Sequence, residues 1–177
     1  MKIIFYKQNQ KGFSLIEMMV VVAILGLIVL GLVTFFTGGA RSWIAGQSQL
    51  KAQREARQAI DRIVREIREG NEIKSNSDSY SVTVYIPSFP LEGIDERYVF
   101  YALSGTTMQR DGNPLIDNVL KITGETIFEY YNNSGTEVPS PDATVSKIHI
   151  NLKVDVDKDS NPDITLNTDV NLRNFGL

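Results

Sequence analysis

A chain of 177 residues is long enough for one folded domain with a hydrophobic core and an additional element. Its net charge of −3 is unevenly distributed: residues 41–71 hold seven basic and four acidic residues, whereas residues 72–177 hold eight basic and sixteen acidic ones. The acidic part is a poor candidate for nucleic-acid binding, which requires clustered Lys and Arg, and the lack of cysteine excludes a disulfide scaffold and a thiolate metal site.

An apolar segment covers residues 13–37, and Glu17 is the only charged residue between Lys11 and Arg41. At 1.5 Å per residue, this segment is long enough to cross a bilayer as a helix. A charge in the hydrocarbon core costs several kcal/mol, so a glutamate at this position requires a functional explanation.

Two ordinary interpretations of the segment leave Glu17 unexplained. A secretory signal peptide would use the preceding lysines as its basic region and residues 38–40 as its cleavage site, but the apolar core of such peptides rarely exceeds about 15 residues. A plain single-span anchor would place Trp43 at the membrane interface. Basic residues stand on both sides of the segment, however, and they orient such an anchor poorly.

Residues 11–17, KGFSLIE, closely resemble the processing site of type IV pilins and the related pseudopilins. In that family a basic leader ends in glycine, and a prepilin peptidase cuts after it on the cytoplasmic side of the membrane. The new N-terminal residue is N-methylated, and a glutamate stands at the fifth mature position. The resemblance implies that Gly12 ends the leader, that Phe13 becomes the mature N-terminus and that Glu17 is an assembly residue.

The resemblance also implies a partner for the carboxylate of Glu17. Cleavage would create an α-amine at Phe13, four residues earlier, and residues i and i+4 share one face of a helix. In the family the glutamate is thought to meet the amine of a neighbouring subunit as the filament assembles. Such pairing in low-dielectric surroundings would remove two costly unpaired charges, so we expect Glu17 to set the axial register and to have no catalytic role.

The helix is predicted to continue as an amphipathic stretch over residues 41–71. Gly38-Gly39 is a predicted point of bending or local melting, and Gly70-Asn71 is the predicted stop. The exposed arginines of this stretch could face an anionic lipid or a partner subunit, but an ordinary solvated helix face is the simpler interpretation. An apolar stripe at three- and four-residue spacing is predicted to pack on a sheet: Ala52, Ala56, Ala59, Ile60, Ile63, Val64 and Ile67.

Charged residues at i,i+4 spacing are predicted to pair on the solvent side of this stretch. The predicted pairs are Asp61–Arg65, Arg62–Glu66 and Arg65–Glu69.

From Ser79 onward the apolar residues alternate, which predicts β-strands. The predicted strands cover residues 81–86, 97–103, 106–110, 126–131, 145–157 and 163–174, with a further segment at 119–122 and an exposed loop at 88–96. The expected fold class is α+β, with the long N-terminal helix packed on a mainly antiparallel sheet. The predicted organisation is a leader at 1–12, a membrane or filament-core helix at 13–40, its amphipathic continuation at 41–71 and a β-sheet head at 72–177.

The order of elements in the head resembles the PulJ/PilW group of minor pseudopilins of type II secretion and minor pilins of type IV pili. The segments that carry the resemblance are residues 54–70, 98–119, 127–131 and 164–174. Major pilins often have a C-terminal cysteine pair or a proline in the membrane helix, and this chain has neither. The resemblance therefore favours a minor subunit.

One stretch of the head has the composition of a metal site. Oxygen-bearing side chains alternate from residue 155 to residue 163, as at the start of a calcium loop, although the turn glycine of such loops is missing. The alternative is a polar hairpin tip between two strands, with Asp155 and Val156 still in the first strand. The candidate calcium ligands are Asp155, Asp157, Asp159, Asn161 and Asp163.

No combination of residues predicts catalysis. His149 is the only histidine, and its alternation with Ile148 and Ile150 places it on the outer face of a strand. Without a nucleophile motif or a phosphate-binding loop, we expect a non-enzymatic protein without a cofactor other than possible calcium. The aromatic residues of the head are expected to pack in the core or across strands: Tyr98, Phe100, Tyr101, Phe128, Tyr130 and Tyr131.

The sequence thus predicts a minor pilin or pseudopilin in the cytoplasmic membrane, with its head outside the cytoplasm, which enters a pilus or pseudopilus. Its expected partners are a prepilin peptidase, other major and minor pilins or pseudopilins, and the membrane, with no direct binding of nucleic acid. The rival hypotheses are an unprocessed single-span protein with a ligand-binding head and a secreted protein that begins at Arg41. The residues fit a secretion, motility or DNA-uptake machine, although an acidic head argues against direct DNA capture.

Overall fold

The computed structural model describes residues 12–88, 95–173 and 175. The predicted leader apart from Gly12, and most of the predicted loop at 88–96, lie outside these residues. The chain divides into two compact units, Met1–Gly46 and Gln47–Leu177.

A single helix, α1 (Leu15–Glu69), contributes to both units. The segment contains no proline, and Gly38 and Gly39 are helical, so the local melting predicted at this pair is not observed. The helix ends at the predicted stop, because Glu69 is its last residue and Gly70 follows. A Cβ atom at Gly70 would lie 2.3 Å from Cγ1 of Val84, so this glycine is needed for close approach of the chain to a strand.

The strands of the second unit form two sheets, and all strand pairs are antiparallel. The first sheet has five strands in sequential order: β1 (Glu72–Ile73), β2 (Ser81–Ile86), β3 (Arg97–Ser104), β4 (Thr107–Arg110) and β5 (Asn113–Ile116). The second sheet has three strands: β6 (Phe128–Asn132), β7 (Val145–Val154) and β8 (Ile164–Asn171). The predicted α+β class is confirmed, with two antiparallel sheets in place of one.

Strand β5 was not among the predicted strands. The turn before it begins with Asp111-Gly112, and both residues have positive φ, 50° and 78°. A two-residue turn with this sequence and these angles joins the strands of a tight hairpin. Pro114 is tolerated because β5 is an edge strand of its sheet.

Two further differences concern segments next to strands. Residues 119–122 form no strand, and Val119 makes one isolated bridge to Val154. Asp155 and Val156 were predicted to lie in the strand, and this was wrong. Strand β7 ends at Val154, so both residues belong to the loop that follows. Asp155 is therefore the first residue of the hairpin loop that carries the candidate calcium ligands.

The core of the second unit combines the apolar stripe of α1 with the inner faces of the sheets. Five members of the predicted stripe are buried, and Ala52 and Val64 are partly buried. The buried stripe residues are Ala56, Ala59, Ile60, Ile63 and Ile67. Strand β7 alternates as predicted, with Ile148, Ile150, Leu152 and Val154 all buried.

Candidate processing and assembly site

The residues of the predicted cleavage site precede the helix and are exposed. Gly12, Phe13 and Ser14 have no regular secondary structure, and the side chain of Phe13 is 79% exposed. A peptidase could therefore reach the Gly12–Phe13 bond without unwinding α1. Because α1 begins at Leu15, Phe13 lies outside the helix in the uncut chain.

Glu17 lies in the first turn of α1. The backbone N–H groups of Glu17 and Met18 donate to the carbonyl oxygen of Ser14 at 3.0 and 3.2 Å, which makes Ser14 the N-cap residue just before the helix. A carboxylate in the first turn is favoured by the positive end of the helix dipole. The sequence Ser14-Leu15-Ile16-Glu17 also matches the capping-box pattern, a local signal for the start of a helix.

The first part of α1 has the composition of a membrane-crossing or lipid-facing helix, and its side chains are exposed. The hydroxyls of Thr34 and Thr37 donate to the carbonyl oxygens of Leu30 and Val33 at 3.0 and 2.9 Å. Hydrogen bonds of this kind satisfy polar side chains where no water is present. This part of the helix can therefore be surrounded by apolar groups without leaving either hydroxyl unpaired.

A second glutamate of α1, Glu66, is buried among polar partners from the first sheet. Its carboxylate accepts hydrogen bonds from the Tyr101 hydroxyl at 2.5 Å and from Nε of Arg110 at 2.9 Å. Nε of Arg62 lies 3.5 Å away, which confirms the predicted Arg62–Glu66 pair. The expected position on the solvent side was wrong, because Glu66 is only 9% exposed and faces β3 and β4.

Burial and hydrogen bonding act on this carboxylate in opposite directions. Desolvation raises the pKa of Glu66, but hydrogen bonds from Arg110 and Tyr101, with the charges of Arg110 and Arg62, outweigh it and lower the pKa below the usual value. Desolvation and the same carboxylate raise the pKa of Tyr101. Glu66 is thus an ionised residue that joins α1 to the sheet, and i,i+4 spacing alone did not identify it.

The loop between β7 and β8 brings together three of the five candidate calcium ligands. Carboxylate oxygens of Asp155, Asp157 and Asp159 lie within 4.8 Å of one another. Asp163 instead accepts the backbone N–H of Val156 at 2.7 Å, and Asn161 donates its side-chain amide to Asp159 at 3.1 Å. Hard oxygen donors at this spacing fit the chemistry of calcium.

The same carboxylates also shape the loop without a metal. The two oxygens of Asp155 accept the backbone N–H groups of Lys158 and Ser160 at 2.7 and 2.9 Å. The N–H of Asp159 lowers the pKa of Asp157, but desolvation and the neighbouring carboxylates outweigh this effect, so the pKa is raised. The carboxylates therefore repel one another, and a bound cation would relieve that repulsion.

His149 forms a cross-strand pair with Asp169, with Nδ1 and Oδ1 at 2.8 Å. The imidazole is partly buried on the outer face of β7, in agreement with the predicted strand position. The aromatic prediction holds for Tyr101, Phe128 and Tyr130, which are buried.

The outer aromatic residues of the first sheet are less enclosed. Tyr98 packs across strands on Tyr85, with ring centroids 5.1 Å apart, although Tyr98 is exposed. Phe100 is also exposed, at 39%, because it lies on the outer face of β3.

Comparison with known protein families matches residues 7–33 to the prokaryotic N-terminal methylation motif. The matched range includes Gly12, Phe13 and Glu17, and it is the type IV prepilin-like signal. Neither the curated proteins nor the solved structures contain a significant match to the chain. The motif and the apolar helix together indicate that the protein is anchored in a membrane and is processed like a pilin.

Proposed function

We propose that this protein is a minor pilin or pseudopilin, cut after Gly12 by a prepilin peptidase and N-methylated at Phe13. The observation that carries the proposal is the methylation motif at residues 7–33, which joins the cleavage site to a long apolar helix. The exposed position of Gly12 and Phe13 before α1 supports cleavage there. The proposed role is structural: the chain is a filament subunit and not an enzyme.

Assembly would be driven by burial of the apolar part of α1 against the helices of other subunits. The side chains from Leu15 to Phe36 are exposed in the isolated chain, so their burial in a filament core would contribute a large hydrophobic term. Glu17 would pair with the Phe13 amine of a neighbour and thereby set the axial register. A mismatched register would leave the carboxylate buried without a partner, and such a register is therefore energetically disfavoured.

We also propose where the protein lies in the cell before and after its assembly into a filament. The precursor would lie in the cytoplasmic membrane as a single-pass protein with the head outside the cytoplasm, and the mature chain would enter a type IV pilus or type II secretion pseudopilus, at the tip. Residues 1–12 would be the leader, 13–40 the filament-core helix, 41–71 its continuation and 72–177 the head. The head has no predicted nucleic-acid role because its charge balance is acidic.

Intact mass and N-terminal sequencing of the protein from membranes of its native host test the proposal. The expected result is a mature chain that starts at N-methylated Phe13. A chain that still starts at Met1 would favour the rival hypothesis, an unprocessed single-span protein with a ligand-binding head. A start at Arg41 would indicate secretion and would likewise overturn the proposal.

Calcium binding by the β7–β8 loop stays a separate prediction. If Asp155, Asp157 and Asp159 hold a calcium ion, added calcium raises the unfolding temperature of the full chain in detergent, because ligand binding to the folded state stabilises it. Asp157→Asn is expected to remove this response, whereas Asn133→Asp, in another exposed loop, is expected to keep it. An unfolding temperature that is unchanged by calcium would contradict the prediction.

A further inference from the structure

A cleft of about 390 Å³ opens at one end of the second sheet, where β6 and β8 end and β7 begins. This volume lies within the range of small-molecule sites, about 300–1,000 Å³. We call it the amide cleft, because three of its side chains are carboxamides. Its lining includes Asn132, Asn133, Ser146, Asn171, Leu172 and Phe175.

The amide cleft has few charges, although it belongs to an acidic part of the chain. Residues 72–177 hold eight basic and sixteen acidic residues. Among the described residues that line the cleft, none is acidic and Lys147 alone is basic. The ammonium group of Lys147 lies 4.4 Å from the centre of the Tyr131 ring, which is a favourable position for a cation. The cleft therefore suits an uncharged polar ligand.

Three polar side chains of the cleft are available to such a ligand. The carboxamides of Asn133 and Asn171 and the hydroxyl of Ser146 take part in no hydrogen bond within residues 12–88, 95–173 and 175. A carboxamide offers two N–H donors and an acceptor oxygen, and a hydroxyl both donates and accepts. Together they can bind a ligand that carries donors and acceptors side by side.

Backbone contacts hold these groups in place. The side-chain oxygen of Asn132 accepts two backbone N–H groups at 3.0 and 2.9 Å, which fixes the turn that carries Asn133. The N–H of Leu172 donates to the carbonyl oxygen of Ser146 at 2.9 Å, which joins the chain after β8 to β7. A site whose groups are already held in place loses less conformational entropy when a ligand binds.

Leu172 and Phe175 give the cleft an apolar wall. Leu172 is buried, whereas Phe175 is only partly buried against the core, so part of its ring is left for a ligand. An aromatic side chain beside a few convergent polar groups is the usual lining of a small-molecule site.

We propose that the amide cleft binds an N-acetylated sugar, such as an N-acetylhexosamine unit of an oligosaccharide. The hydroxyl groups of a sugar donate and accept, which matches the free groups of Asn133, Ser146 and Asn171. The acetamido group pairs with a carboxamide through one N–H and one carbonyl oxygen, and its methyl group packs on Phe175. This inference does not rest on the proposed function, because a cleft of the head can bind a sugar whether or not the leader is removed.

Calorimetric titration of the full chain with chitotetraose, an oligomer of N-acetylglucosamine, tests the proposal in a detergent without a sugar head group. The expected result is saturable binding with a Kd on the order of 1 mM or lower. Cellotetraose has the same rings and linkages without the acetamido groups, so we expect it to bind at least about tenfold more weakly. No binding of chitotetraose, or equal binding of the two oligomers, would overturn the proposal.

Substitution of Asn171 tests the position of the site. Asn171→Ala is expected to weaken chitotetraose binding at least about tenfold, because a donor and an acceptor are lost together. Asn167→Ala is the matched control, since Asn167 is exposed on the same face of β8 but lies outside the lining, and we expect it to bind as the wild type does. The β-sheet circular dichroism of both variants reports the fold. Equal binding by the two folded variants would show that the sugar binds elsewhere and would overturn the assignment.

Co-sedimentation with glycan strands from the native host's own cell wall separates two sources of the sugar. Sedimentation of the wild type, but not of Asn171→Ala, would support the proposal and identify the wall as the source. Binding of chitotetraose without sedimentation would support the proposal with a sugar from outside the cell. A chain that binds the sugar but still starts at Met1 would overturn the proposed function alone, and a processed chain that binds no sugar would overturn this inference alone.

Discussion

Two of the four glutamates of helix α1, Glu66 and Glu17, differ in their partners. Glu66 faces the first sheet, where Tyr101 and Arg110 hold its carboxylate at 2.5 and 2.9 Å. Glu17 lies in the exposed first part of the helix, and the described residues 12–88, 95–173 and 175 provide no ion pair for it.

One residue type thus has two structural roles in the same helix. A carboxylate in low-dielectric surroundings requires a partner, whether those surroundings are a protein core or a membrane. For Glu66, the partner belongs to the same chain, and the interaction stabilises the fold. For Glu17, the proposed partner is the amine of another subunit, so the interaction would appear only in the assembly.

Removal of Glu17 is expected to have the largest effect, and that effect is confined to assembly. We expect Glu17→Ala to be cut after Gly12 but to enter filaments at less than about a tenth of the wild-type level, because the register-setting pair is lost. Sheared filaments and membranes are compared by immunoblotting, and the mass of the mature chain reports processing. Normal incorporation of this variant would remove the proposed role of Glu17.

Removal of Glu66 is expected to weaken the fold itself. We expect Glu66→Ala to lower the free energy of unfolding by about 3 kcal/mol, because Arg110 and the Tyr101 hydroxyl lose their common acceptor in a buried position. The β-sheet circular dichroism of the full chain in detergent, followed through denaturant, measures this change. Asp61→Ala, on the exposed side of the same helix, is the control, and a loss of similar size there would contradict the assignment.

Substitution of Gly70 tests the close approach between the end of α1 and strand β2. A Cβ atom there would meet Val84 at 2.3 Å and the carbonyl oxygen of Tyr85 at 3.3 Å, so we expect Gly70→Ala to cost about 1–3 kcal/mol of stability. Gly46→Ala adds the same atom in open space on the helix and is expected to be neutral or stabilising. The same denaturant measurement applies, and equal behaviour of the two variants would show that Val84 can move aside.

Features with a strong local signal were predictable from the sequence. The stripe of α1, the stop at Gly70 and the alternation of β7 each follow from spacing or from one residue type, and the structure contains all three. The KGFSLIE motif likewise lies in a short stretch and was recognisable without tertiary information.

Features that depend on contacts between distant residues were not predictable in the same way. Glu66 has an ordinary i,i+4 partner in Arg62, so nothing local distinguishes it from a surface glutamate; its burial follows from Tyr101 and Arg110, more than thirty residues away along the chain. Strand β5 had a usable local signal, the Asp111-Gly112 turn, but this turn was not among the features used for the prediction. The division into two sheets also depends on distant pairing, which alternation does not specify.

The smallest expected effect is the pH dependence that Glu66 contributes. Its native pKa is lowered below 4.5, despite desolvation, by the hydrogen bonds and charges of Arg110, Tyr101 and Arg62. The unfolded chain therefore binds the proton first as the pH falls, so the stabilising contribution is fully present above 4.5 and is lost as the pH falls towards the native pKa. We expect the wild type to lose more stability than Glu66→Gln between about pH 6 and about pH 3.5, by roughly 1.4 kcal/mol for each unit of pKa difference. Denaturant unfolding at each pH measures the difference, and parallel curves for the two proteins would show that Glu66 is not the carboxylate held by the sheet.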